Sequence, residues 1–156
     1  MVVDPLPHHS SAVAPLLPVP QGAYVVPATV TTFGDRPAPF LSLIIPTYQE
    51  AANIAPLVQA LTQLLDPVLP NDYELIVVDD NSPDHTWEHA QQVAAQFPVQ
   101  VMRRIDERGL ATAVIRGWQA ARGSVLGVID ADLQHPPETL IQLLSEIRRG
   151  ADLSVA

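Results

Sequence analysis

Three short apolar runs, each closed by a cluster of polar residues, constrain this chain more than any other feature: FLSLIIP at 40–46, YELIVVDD at 73–80 and SVLGVID at 124–130. Each is rich in Val, Ile and Leu and too short for a buried helix, so each reads as a strand buried on both faces. Between them, apolar residues recur at helical spacing. Ile54, Leu57, Val58, Leu61, Leu64 and Leu65 form one stripe, with Asn53 placed as its N-cap and Pro56 in the first turn. Trp87, Ala90, Val93, Ala94 and Phe97 form a second, which Asp84 is placed to cap. Leu110, Val114, Gly117, Trp118 and Ala121 form a third, and Leu140, Ile141, Leu144 and Ile147, after Pro136 and Pro137, a fourth. Residues 99–103 and DLSVA at 152–156 add two further expected strands. Strands alternating with helices predict an α/β domain with a mainly parallel sheet and helices on both faces. In such sheets ligands bind beyond the carboxyl ends of the strands. The polar clusters fall at those ends, at 47–50, 79–84 and 130–135.

The rest of the chain narrows the chemistry. Residues 1–39 hold eight of the 16 prolines and read as a disordered or extended tail, leaving 40–156 as the folded part. Those prolines also break the long uncharged stretch between Asp4 and Asp35, so it is a poor membrane span, and the lack of Lys or Arg at its start makes a poor signal peptide. The net charge is −9 and all eight basic residues are Arg, without the clustering a nucleic-acid surface needs. With no Cys, thiol chemistry, disulfides and Cys-ligated zinc are excluded, which agrees with a cytoplasmic setting.

Asp130 and Asp132, spaced i, i+2 at the end of a strand, would share a face and suit a hard divalent cation. Gln134 continues the spacing with a neutral oxygen, and His135 is a further polar candidate. The competing reading is a solvated turn. Asp79 and Asp80 follow a buried strand directly and could accept from a base or a ribose; taken alone, they are better explained by a helix cap or an Asx-turn, since NSPD is turn-forming. In PTYQE, Tyr48 could pack on a base and Glu50 accept from a ribose, or the stretch is an ordinary loop. Arg108, just before Gly109 and a helix start, could meet a phosphate with guanidinium and backbone N–H, or stand free on the surface. His85, Glu88 and His89 fit H-x-x-E-H, a zinc peptidase pattern, without a convincing third ligand. Neither a G-x-G-x-x-G nor a P-loop is present.

Taken in order, LSLIIPTYQEAANI, ELIVVDDNSPDHTWE, RGLATAVIRGWQAARG and VIDADLQHPPETL resemble family 2 glycosyltransferases of the GT-A fold, the dolichol- and polyprenyl-phosphate mannosyltransferases among them. The resemblance covers about residues 41–155. It implies a Rossmann-like nucleotide-sugar-binding domain, incomplete at its C-terminus. Pro46, Tyr48 and Glu50 would line the nucleotide pocket, Asp80 with Asp79 beside it would meet the base, and Arg108 would begin the basic R/K-G-L-G stretch, with Ala111 where the family usually has Gly. Asp130 and Asp132 would be the catalytic D-x-D pair, binding Mg²⁺ or Mn²⁺ together with Gln134, Asp130 also touching the nucleotide sugar. The implied reaction moves a hexose, mannose or glucose, from a GDP-mannose- or UDP-glucose-class donor to a polyprenyl or dolichyl phosphate with inversion. It implies no nucleic-acid partner and a cytoplasmic chain, peripheral at a membrane face through the part missing here. The alternatives are a truncated nucleotide-binding fragment without transfer activity and, more remotely, a zinc hydrolase using His85 and His89.

Overall fold

The computed structural model describes residues 37–134 and 136–156, so residues 1–36 of the tail read at 1–39 lie outside the described residues. Four strands alternate with four helices: β1 (Leu41–Thr47), α1 (Ala51–Leu65), β2 (Tyr73–Asp79), α2 (Thr86–Ala94), β3 (Val99–Arg103), α3 (Leu110–Ala120), β4 (Val125–Val128) and α4 (Thr139–Arg148). The strand order is β3-β2-β1-β4 and every pairing is parallel. All seven residues of β1 and all seven of β2 are buried, as central strands covered on both faces must be. Leu41, Leu43, Ile45, Leu75 and Val77 face one way and pack on α1, α2 and α4; Ile44, Ile76, Val78 and Met102 face the other way, toward α3.

Helix α3 approaches the sheet through small residues. Ala113 and Gly117 are its buried positions, while Leu110 and Trp118, expected inward, are 62% and 42% exposed. A Cβ at Gly117 would lie 2.6 Å from Ile44 Cγ2, so the bulky neighbours cannot share that face and turn outward. Below α3, at the amino end of the sheet, a polar clamp holds the α3–β4 connection. The buried Glu74 carboxylate accepts from Ser42 Oγ (2.6 Å), Gln100 Nε2 (2.9 Å), and both the backbone N (2.8 Å) and Nη2 (2.9 Å) of Arg122. A buried carboxylate is tolerable only when so many donors satisfy it.

Several boundaries differ from the pattern. Helix α1 begins at Ala51, with Glu50 as its N-cap residue, so Asn53 is inside the helix and Pro56 falls in the second turn. Pro56 and Ala52 are both exposed, which leaves water to satisfy the carbonyl that the proline cannot. Pro39, counted with the tail, is buried, and its carbonyl accepts from Ser124 (3.3 Å). DLSVA alternates like a strand, yet residues 152–156 pair with no ladder and Leu153 and Val155 stay 78% and 77% exposed. They border an apolar groove of about 720 Å³ along β4, together with Trp118, Leu126 and Val128.

Pro46 explains where β4 stops. The carbonyls of Phe40 and Ile44 accept from Val125 (2.8 Å) and Ile129 (3.0 Å), so even-numbered residues here turn their backbone groups toward β4. Pro46 is next in that series and has no N–H to offer. The β1–β4 register therefore ends at Ile44↔Val128, while β1–β2 runs on through Pro46↔Val78 to Thr47↔Asp79. Pro46 does not end β1; it ends the pairing that would have carried β4 to residue 130.

Gly117→Ala sets a helix-propensity gain of about 1 kcal/mol against overpacking of a fully buried β-branched side chain, which costs about 1–3 kcal/mol. At a 2.6 Å approach the clash wins. The expected result is a net loss near 1 kcal/mol, read by urea denaturation as a lower midpoint with an unchanged m-value.

Candidate functional site

The loops after β1, β2, β3 and β4 meet at the carboxyl end of the sheet, and among the described residues four of the five non-glycine positions with positive φ lie there: Gln49, Asn81, His85 and Leu133. Residues of this kind persist only where the surroundings hold them. The first two loops are laced together. Three successive amides, of Gln49, Glu50 and Ala51, donate to Ser82 Oγ (2.9 Å), Thr86 Oγ1 (3.0 Å) and Asp84 Oδ2 (3.1 Å). The other oxygen of Asp84 accepts from the backbone N (3.1 Å) and hydroxyl (2.6 Å) of Thr86. One carboxylate thus serves the first N–H of α1 and the first N–H of α2, while His85 supplies the left-handed N-cap backbone of α2. Burial pushes the Asp84 carboxyl up, but the Thr86 hydroxyl and the Ala51 and Thr86 amides outweigh it and hold it below the usual range. With its N-terminus occupied by a carboxylate, α1 has no place for a phosphate there.

The two adjacent aspartates have opposite fates. Asp79 is 0% exposed. Its Oδ1 accepts from Thr47 Oγ1 (3.1 Å) and Ser82 Oγ (2.6 Å), and its Oδ2 from the Ser82 amide (2.9 Å). It is the lock of an Asx-type turn: burial and three internal donors turn it inward, away from the exposed groups at this end of the sheet. Asp80 keeps 10% of its side chain exposed. Its Oδ1 accepts from Arg104 Nε (2.6 Å) and forms an ion pair with Nη2, and its Oδ2 accepts from the Gly109 amide (2.7 Å). Gly109's N–H is therefore already committed and is not free to meet a phosphate beside Arg108.

Around this pair stand the exposed groups. Tyr48 is 47% exposed, and the Arg108 guanidinium sits 5.7 Å from its ring centroid. Glu50 Oε2 accepts from Asn53 Nδ2 (2.6 Å). Pro46 is buried within β1. Arg116 grips Glu107 with Nε (3.0 Å) and Nη2, and its hydrogen bonds, opposed by burial, hold the Glu107 carboxyl below the ordinary range.

Asp130 and Asp132 are both exposed, but not as two positions of a strand. β4 ends at Val128, and the pair stands on the turn that follows. Ala131 between them is 3% exposed and packs into the core, which turns both neighbours outward. Asp132 Oδ1 accepts from the Gln134 amide (3.0 Å) across Leu133, whose φ is 59°; Oδ2 remains available. Two carboxylates and an amide oxygen are the hard donors that Mg²⁺ or Mn²⁺ prefers. Among the described residues no three His, Cys, Asp or Glu side chains converge, so further ligands for a cation would be phosphate oxygens or water. His135 lies outside the described residues. His85 Nδ1 lies 3.2 Å from Glu88 Oε1, and no third acidic or histidine ligand joins His85 and His89 among the described residues. The residue that the pattern missed is Arg104: it directly follows β3, the same position at a strand end that singled out the aspartates.

Comparison with known proteins decides the family. Residues 42–156 match the Glycosyl transferase family 2 model. The dolichol-phosphate mannosyltransferase of Pyrococcus furiosus is 47% identical over 115 residues, covering 74% of this chain and 32% of that protein. The chain belongs to glycosyl transferase family 2. The polyprenol monophosphomannose synthase of Mycolicibacterium smegmatis is 41% identical over 140 residues, 86% of this chain and 49% of the relative. A solved mannosyltransferase of Pyrobaculum calidifontis, in complex with GDP-Man and Mn²⁺, superposes with a TM-score of 0.59 at 26% identity, covering 69% of this chain and 32% of the other. The fold is that of the GT-A glycosyltransferases. This family 2 chain spans about a third to a half of the length of the curated relatives it matches.

Asp84→Ala removes the acceptor from two helix starts and should cost about 2 kcal/mol, about 1 per cap. Because its folded pKa is depressed, its contribution is present above the unfolded value near 4 and lost as pH falls through the folded value. Urea midpoints measured between pH 7 and pH 3 should fall with acid for the native chain, and fall less for Asp84→Asn.

Proposed function

We propose that this chain is the donor-binding part of a metal-dependent, inverting hexosyltransferase that moves mannose or glucose from a nucleotide-diphosphate sugar to a polyprenyl or dolichyl phosphate. The observation that carries the reading is the convergence, at one sheet end, of an acceptor held for a base (Asp80), an aromatic ring with a cation over it (Tyr48 and Arg108) and two outward carboxylates (Asp130 and Asp132). The named relatives support the hexose and the polyprenyl acceptor, and the GDP-Man and Mn²⁺ bound by the Pyrobaculum enzyme support the donor class and the cation.

On this reading Asp80 accepts from the base, Tyr48 packs against it, Glu50 accepts from the ribose, and Pro46 forms the floor behind them. Arg108 leaves the Tyr48 ring to meet the diphosphate. Asp130, Asp132 and Gln134 hold a divalent cation, Mg²⁺ or Mn²⁺, which when bound neutralises charge growing on the departing diphosphate. Asp130 also orients the sugar, so that the acceptor phosphate can approach C1 from the face opposite the leaving group. A phosphate acceptor is already an anion at neutral pH and needs no general base. A lipid acceptor implies contact with a membrane face; among the described residues no helix is long and apolar enough to cross a membrane. A second reading, nucleotide binding without transfer, has its own support in the chain's coverage of 32–49% of those relatives.

Calorimetric titration of GDP and of UDP into the chain, with and without Mn²⁺, tests the site. Binding by one of them should depend on Mn²⁺ and weaken at least about tenfold in Asp132→Ala, the loss of one charged ligand. Binding that ignores both Mn²⁺ and the substitution would remove the D-x-D turn from the site. Hexosyl transfer to a polyprenyl phosphate by the same preparation then separates the transferase from the binding module.

A further inference from the structure

Arg104 is the most buried cation at the carboxyl end of the sheet, with 4% of its side chain exposed. All three of its guanidinium nitrogens are committed. Nε and Nη2 hold Asp80 Oδ1, Nη2 also donates to the Gly109 carbonyl (3.0 Å), and Nη1 donates to Thr112 Oγ1 (2.9 Å) and, at 3.4 Å, to Glu107 Oε2. Its backbone N–H is bound to the Asp79 carbonyl (2.8 Å), so the side chain springs from the sheet itself. The acceptors belong to β2's end, the β3–α3 loop and the first turn of α3. One planar fork therefore fixes three segments at once, a geometry that an ammonium cannot reproduce.

Two consequences follow for a ligand. A carboxylate has about four lone-pair sites. Arg104 covers Oδ1 with a hydrogen bond from Nε and an ion pair from Nη2, and the Gly109 amide takes one site on Oδ2. With Oδ1 covered by the guanidinium, the acceptor that Asp80 can still offer is the second site on Oδ2. That acceptor suits a base with a ring N–H, guanine or uracil, and repels adenine and cytosine, which carry a ring nitrogen lone pair at the corresponding place. The same guanidinium, through the Gly109 carbonyl, Thr112 and Glu107, holds the loop from which Arg108 reaches over Tyr48.

We infer that Arg104 is a positioning residue for nucleotide selection: it aims the remaining acceptor of Asp80 at the ring N–H of a keto base and holds the 105–109 loop in place around it. The inference rests on the reading of Asp80 as the base acceptor. Arg104 itself touches no ligand.

The test compares affinities for GDP, UDP, ADP and CDP, in the presence of Mn²⁺, among the native chain, Arg104→Lys and Thr112→Val. Arg104→Lys keeps the charge and loses the fork. Thr112→Val removes one anchor of the fork by an uncharged change that leaves the chain foldable. The native chain should prefer its keto-base nucleotide over ADP and CDP. Arg104→Lys should reduce that ratio about tenfold and Thr112→Val about threefold, and in both the Gly109 amide proton resonance should move upfield as its bond to Asp80 slackens. A purely structural Arg104 would weaken all four nucleotides by one common factor and leave the ratio intact. That result, or an unmoved Gly109 resonance in both variants, overturns the inference while the function reading stands. A folded native chain that binds none of the four nucleotides overturns the function reading and the inference with it.

Discussion

The site depends first on one carboxylate, that of Asp84, which accepts from the starts of two helices at once. Parallel α/β sheets direct helix N-termini toward the carboxyl end of the sheet, where their unsatisfied amides attract anions. Here the protein supplies its own anion. With Ser82 and Thr86 it consumes the amides of residues 49–51, so the loops after β1 and β2 behave as one body. Two consequences for function follow. Tyr48 and Glu50 are delivered from a braced backbone, which suits a surface that must present them without reorganising. The start of α1 is closed to an anion, and on the proposed reading a diphosphate is left to Arg108 and to the turn at 130–134.

Neighbouring identical residues acquired different work because burial differs by a few per cent. Asp79 ends β2 with its side chain inward, surrounded by hydroxyl and amide donors; Asp80 is one position further, on the other side of the chain, where a residual opening and an arginine meet it. A strand's alternation makes this outcome compulsory: two consecutive side chains cannot face the same way. The pair is a fully buried acid followed by one that keeps a residual opening.

The central strands, the parallel order and the two-faced core were legible because long apolar runs admit few other arrangements. Ile54, Leu57, Val58 and Leu61 took the places that their spacing assigned. Sequence periodicity failed where small residues decide packing. In α3 the apolar stripe Leu110–Val114–Trp118 looked like the buried face, but hydrophobicity alone does not report how near two backbones come, and Gly117 against Ile44 brings them too near for large side chains. Hydrogen-bond direction was likewise invisible in a one-dimensional pattern. SVLGVID has the composition of a seven-residue strand; that it stops after Val128 is set by a proline in a different strand, on the side where β4 needed a donor. Asp130 and Asp132 stand on a turn and not at i and i+2 of the strand that their spacing predicts. Arg104 was passed over because an arginine after a strand is ordinary until its partners are known.

Charge explains why a turn, and not a strand, is the right support for the D-x-D pair. Placed at i and i+2 of a strand with an intact ladder, two carboxylates would be held a fixed distance apart beside a packed sheet, and their mutual repulsion would have no relief without a cation. On a turn with Leu133 in the left-handed region, Asp132 takes an amide as a partial counter-charge and both acids remain in water. The surrounding cations offer little to an incoming diphosphate: Arg104 is spent on Asp80, Arg116 on Glu107, and Arg103 on Asn81 and the ring of Trp87. Among the described residues at this end of the sheet, Arg108 is the arginine held by a ring contact alone. A single guanidinium does not offset both a nucleoside diphosphate and two nearby carboxylates, and the chain as a whole carries −9. On the proposed reading the missing positive charge would come with the ligand, as a divalent cation at Asp130 and Asp132 arriving together with the nucleotide.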